Sequence, residues 1–178
     1  GVLYARKGTR LGPILYGGHH ERDRRAGTEN VPGAAGFGCA TARAVADVAG
    51  EGARQASLRD RLERGILAGV PGVRVNAARG PRVPNTSSVS FEGIEGEAMV
   101  IALDLRGFAV SSGAACSSGA VEPSHVLLAL GLSREQARGS LRFSLGRSNT
   151  AEQVDALIEA VAASAAHLRK ISPVTVHA

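Results

Sequence analysis

The chain has 178 residues, 44% hydrophobic and 3% aromatic, with no Trp; this suffices for one globular domain, or one and a half small ones, with a core of Leu, Val, Ile and Ala, and leaves too few rings to stack nucleic-acid bases. The formal net charge is +5, but the densest basic group (Arg22, Arg24 and Arg25) is interrupted by Asp23 and followed by Glu29, so no nucleic-acid partner is expected. No apolar run approaches the ~20 residues of a membrane span, and two cysteines cannot make a disulfide framework, so the expectation is no membrane and a reducing, cytoplasmic compartment.

Residues 1–6 are rich in strand formers and alternate weakly, which predicts a strand. The opening Gly1-Val2-Leu3-Tyr4 reads as that strand rather than as a charged leader, so no signal peptide is expected. With no initiating Met the chain opens mid-pattern, as a fragment or processed product would. Residues 7–28 form a long Gly- and Arg-rich loop, a length usually associated with function. An Ala-rich helix is predicted over 33–48 and a second over 52–67, with Leu58, Leu62, Ile66 and Leu67 on its buried face. The AGEG stretch separates the two and gives the best domain boundary, dividing the chain into 1–50 and 51–178. Gly69 ends the second helix and Pro71-Gly72 turns the chain.

Val73 and Val75 suggest a short strand, followed by a polar loop over 77–84. In 86–91, Val89 and Phe91 share one face and Ser88 and Ser90 the other, which suits a strand. A helix over 95–106 carries Met99, Val100 and Leu103, and 108–110 reads as a strand. Residues 111–123 are small and polar. A short helix over 124–130 is closed by Gly131. Ser133 and Gln136 have capping-box spacing, as do Thr150 and Gln153. Between them 141–145 reads as a strand. After them Val154, Leu157, Ile158, Val161, Ala165 and Leu168 recur at helical spacing. No internal repeat is apparent. Alternating strands and helices imply a layered α/β or α+β architecture.

Four places carry candidate chemistry. Cys116 lies in SSGAACSSG, among residues too small to bury it. A structural cysteine is usually packed among apolar neighbours, so a reactive thiol is favoured over a bland surface cysteine. Cys39, in GFGCATARAV, reads instead as a small buried hydrophobe. In RAGTEN, residues 25–30, Gly27 permits close backbone approach and Thr28 offers a hydroxyl ahead of a helix. This fits either a phosphate site or an ordinary helix-entry turn capped by Thr or Asn. Arg142, between Leu141 and Phe143, would be partly buried and need an anionic partner, either a substrate carboxylate or a Glu or Asp in a structural salt bridge. For Arg147 a structural salt bridge is the favoured reading. The five histidines, His19, His20, His125, His167 and His177, show no ligand spacing, and no metal is expected.

Taken together, GVLYARKGTR, GGHHERDRRAGTENV, NTSSVSF, SSGAACSSG, EPSHVLLALGL and LRFSLGR occur in an order that resembles the second half of the cysteine desulfurases, in the branch with an extended cysteine loop. The resemblance spans residues 1 to about 172. It implies an α/β, aminotransferase-like fold of the pyridoxal-phosphate-dependent transferases (fold type I). Residues 1–50 would be the tail of the large cofactor domain, and 51–178 the small α+β domain carrying the cysteine loop. Cys116 matches the nucleophile that takes sulfur from L-cysteine as a persulfide, with release of L-alanine. Thr28 matches the threonine that reaches the phosphate of pyridoxal 5′-phosphate, in the family from across a homodimer interface. Arg142 matches the arginine that pairs with the substrate carboxylate. The implied partner is an iron–sulfur scaffold or another sulfur-acceptor protein, for cluster or thio-cofactor synthesis. The family's cofactor lysine lies upstream of GVLYARKG. Lys7 and Lys170, the only lysines here, fall elsewhere, so the chain alone is expected to be inactive. A further departure places His19 where many members have glycine. The alternatives are a selenocysteine lyase or related lyase, and a non-catalytic module that docks a sulfur scaffold.

Overall fold

The computed structural model describes residues 1–112 and 123–171. It divides into two units, Gly1–Ala49 and Gly50–Ala178, with one long helix contributing to both.

In the first unit residues 1–6 form no strand, contrary to the expectation. A strand exists only where its backbone is paired, and the described residues of this unit contain no second strand. Its loop holds a 3-10 turn at His20–Asp23, where Glu21, Arg22 and Asp23 take left-handed φ. Helix α1 then runs unbroken from Val31 to Gly69, so the predicted break at AGEG is absent. A helical glycine costs only about 1 kcal/mol relative to alanine. Local side-chain bonds hold the helix together there: Glu51 accepts from Arg54 (2.7 and 2.9 Å) and from Gln55 (2.7 Å). Arg54 also donates to the carbonyls of Gly146, Arg147 and Asn149 at 2.8–3.1 Å.

The second unit is built on an antiparallel four-stranded sheet. Strand β1 is Val73–Val75 and β2 is Thr86–Phe91. Helix α2 follows at Gly96–Asp104, and β3 is Ser111–Ser112. After the short helices α3 (His125–Ala129) and α4 (Arg134–Arg138) come β4, Ser140–Ser144, and the long helix α5, Ala151–Ile171. The sheet order is β1-β2-β4-β3. The edge strand sits at 111–112, not at the predicted 108–110, because its pairing to β4 fixes it: Ser111 lies opposite Arg142 and Ser112 opposite Leu141.

One face of the sheet supplies Val89, Phe91, Leu141 and Phe143 to the core. They meet Leu58, Leu62 and Ile66 of α1, Met99 and Leu103 of α2, and Val154, Leu157, Val161 and Ala165 of α5. Helices α1 and α5 approach closely at Gly65, where an added Cβ would collide with Ile158 Cδ1. Arg61 and Asp155 close the same seam with two bonds of 2.6 Å. Leu67, expected in the core, points outward and is half exposed. Both expected capping boxes form. Ser133 and Gln136 exchange bonds at the start of α4, and Thr150 and Gln153 do so ahead of α5.

A buried polar group sits on the core side of the sheet. Glu63 of α1 is 8% exposed and accepts from Arg82 through both oxygens at 2.6 and 2.8 Å, and from Ser87 of β2 at 2.7 Å. Burial pushes its carboxyl up, but the bonds from Arg82 and Ser87 and the charges of Arg82 and Arg59 outweigh that and hold it below the ordinary 4.5.

Candidate functional site

The opposite face of the sheet is polar, and Arg142 stands in it. Side chains alternate across a pleated strand, so Leu141 and Phe143 enter the core while Arg142 and Ser144 face out. Arg142 is therefore exposed, not partly buried as its apolar sequence neighbours suggested. Directly opposite Arg142 lie Ser88 on β2 and Ser111 on β3. One guanidinium nitrogen, Nη2, donates to Ser111 Oγ at 3.3 Å.

Ser88 is engaged elsewhere. Its Oγ accepts from Asn76 Nδ2 at 3.1 Å, and Asn76 also donates to Ser90 Oγ at 2.9 Å. Ser90 and Ser140 hydroxyls lie 2.7 Å apart, and Ser140 donates to the Gln136 carbonyl at 2.7 Å. Ser90 and Ser140 are buried, so the partly exposed hydroxyls beside the guanidinium are those of Ser88 and Ser111. Among the described residues no carboxylate pairs with Arg142. An arginine with donors to spare and low steric walls suits a planar, bidentate anion. Sequence reading found Arg142 but assigned Ser111 to the loop. Alternation within each strand was legible, but which strands are neighbours was not.

Arg147 is exposed. Its charge is one of the influences on Glu51, whose carboxyl is lowered to about 2, first by the hydrogen bond from Arg54 and also by Gln55 and the charges of Arg54 and Arg147. That agrees with a structural role.

Thr28 belongs to the first unit, in an exposed segment shaped by backbone bonds. Arg25 Nη1 donates to the carbonyls of Gly27 (3.3 Å) and Thr28 (3.0 Å), and Gly27 has φ 98°. The helix cap is Asn30, whose Oδ1 accepts from the Gly33 N–H at 2.9 Å. Thr28 is thus not used as the cap, and it is exposed.

Cys116 lies outside the described residues. Cys39 is exposed rather than buried. The surrounding helical residues Val31, Phe37, Val45 and Val48 are exposed too, because no described residue of that unit packs over them. Among the described residues no group of three or more His, Cys, Asp or Glu could hold a metal, and no helix is long and apolar enough to cross a membrane.

Residues 1–157 match the class-V aminotransferase family. The chain is 49% identical over 173 residues to the cysteine desulfurase NifS of Azotobacter vinelandii, covering 97% of this chain and 43% of the relative. It is 47% identical to the cysteine desulfurase IscS of Methanosarcina thermophila over 98% of its own length and 43% of the relative. Among solved structures, the NifS-like protein of Rickettsia africae superposes with a TM-score of 0.76 at 33% identity, over 88% of this chain and 40% of that one. The chain thus spans less than half the length of these relatives, and its α/β architecture is that of the corresponding part of the NifS-like, fold-type-I structures. These matches place the chain in the class-V aminotransferase family, which uses pyridoxal 5′-phosphate, as a homologue of the cysteine desulfurases.

Proposed function

We propose that this chain is the C-terminal part of a cysteine desulfurase. The observation that carries the reading is Arg142. It is an exposed arginine without an acidic partner among the described residues, flanked across the sheet by Ser88 and Ser111, within a sequence about half identical to desulfurases over nearly its whole length. Residues 1–50 would belong to the cofactor domain and 51–178 to the small domain.

In this reading Arg142 holds the carboxylate of L-cysteine through two parallel N–H bonds, which orients the substrate sulfur. Thr28 donates its hydroxyl to the phosphate of pyridoxal 5′-phosphate. When bound, that cofactor supplies an electron sink that opens the substrate C–S bond to attack. Cys116, as a thiolate, attacks the substrate sulfur. An S–S bond forms, the substrate C–S bond breaks, the carbon takes up a proton, and the products are L-alanine and a Cys116 persulfide. The persulfide then passes to an acceptor protein.

The test is alanine and sulfide release from L-cysteine by a chain of full family length carrying this sequence. Cys116→Ala should abolish desulfuration and keep the cofactor's absorbance band. Retained turnover would overturn the assignment of the nucleophile, and loss of the band would make Cys116 structural. The present chain alone should show no turnover with added cofactor.

A further inference from the structure

We propose that Ser111 is a positioning residue for Arg142, fixing the plane in which the guanidinium meets the substrate carboxylate; this rests on the carboxylate-binding reading of Arg142 given above. An exposed arginine side chain samples many rotamers, and a bidentate pair forms only when its fork is coplanar with the carboxylate. Something must hold the fork before substrate arrives. The register places two side chains directly opposite Arg142 on the same sheet face, Ser88 and Ser111. Cross-strand neighbours of this kind lie within side-chain reach.

Ser88 takes a bond from Asn76, and among the described residues the hydroxyl that Arg142 reaches is that of Ser111, whose Oγ accepts from Arg142 Nη2 at 3.3 Å. A neutral hydroxyl suits this task better than a carboxylate. It removes one of five N–H donors and leaves the positive charge uncompensated for the incoming anion. The pair lies wholly within the second unit.

The experiment uses the holoenzyme of full family length and measures kcat and KM for L-cysteine, together with competition by L-alanine and by L-alaninamide. Ser111→Ala should raise KM about fivefold, with the loss carried by KM rather than kcat, as expected for one longish hydrogen bond to a charged group. It should also shrink the preference for L-alanine over its amide. Ser111→Thr, which keeps the hydroxyl, should restore KM to within about twofold. Ser111→Val has the same shape without the hydroxyl, suits an edge strand, and should not restore it. In an Arg142→Ala background Ser111→Ala should add nothing.

If Arg142→Ala raises KM strongly while Ser111→Ala and Ser111→Val bind as wild type, the positioning role is wrong and the reading of Arg142 stands. If Arg142→Ala itself leaves KM and the L-alanine preference unchanged, both fall. A fall in kcat or in the unfolding midpoint shared by Ser111→Thr and Ser111→Val would assign Ser111 to the fold instead.

Discussion

Replacing Arg82 with alanine isolates the buried charge pair that ties the 77–84 loop to the core. Arg82 gives both ends of its fork to Glu63, at 2.6 and 2.8 Å, and Ser87 adds a third bond at 2.7 Å. Glu63 is 8% exposed. Removing one partner of a fully buried pair costs about 3–5 kcal/mol, because the remaining charge stays desolvated. The Arg82 side chain is 21% exposed, so water can enter where it stood, and Ser87 and the nearby Arg59 charge remain. A loss of about 2 kcal/mol is therefore expected at neutral pH. The assay is urea unfolding followed by far-UV circular dichroism.

The pH dependence supplies a second check. Glu63 is held below its ordinary 4.5 in the folded chain. Its stabilisation is thus fully present above that value and is lost as pH falls through the folded value. In Arg82→Ala burial dominates and Glu63 becomes easier to protonate, so the gap between variant and wild type should narrow on acidification. The paired change Glu63→Met with Arg82→Met removes both charges and should cost far less than either single change. A single Arg82→Ala within about 0.5 kcal/mol of wild type at pH 7 would refute the argument.

Glu51, lowered to about 2 chiefly by its bond from Arg54, should titrate near that value by carboxyl NMR. In Arg54→Met its midpoint should move up toward 4.5, and acid destabilisation between those values should weaken, because a depressed carboxyl stabilises above its unfolded value and loses that as pH falls. Gly139→Ala should lower stability by about 1–3 kcal/mol, since an added Cβ would meet the backbone oxygens of Phe91 at 2.6 Å and Ile94 at 2.8 Å; a chemical-denaturation midpoint at the wild-type value would contradict the close packing there. Ser164 on α5 is 2% exposed, with a hydroxyl that has no partner among the described residues. Ser164→Ala should therefore raise stability by about 1 kcal/mol, read as an upward shift of the same midpoint.

Local signals were dependable where structure is local. Both capping boxes depend on residues three apart, and both form. Strand β2 has the bounds its alternation predicts, with Val89 and Phe91 buried and Ser88 and Ser90 turned toward Asn76. The helix over 52–67 was also correct about Leu58, Leu62 and Ile66. Its separation from 33–48 was not, because AGEG lowers helix propensity only slightly and Glu51 bonds Arg54 and Gln55 across the next turn.

What the sequence by itself determined was element type in the second unit, the polar-apolar alternation of its strands, the family, and Thr28, Cys116 and Arg142 as candidates. Only the tertiary structure decided which strands are neighbours, and hence that Arg142 stands exposed beside Ser111 rather than buried between its apolar sequence neighbours. It also decided that Glu63, unremarkable on a helix face, meets Arg82 and Ser87 inside the core. The reason is the range of the forces. Propensity, capping and alternation act within a few residues and are written into adjacent letters. Strand register and ion pairing join residues tens of positions apart and exist only once the chain has closed on itself.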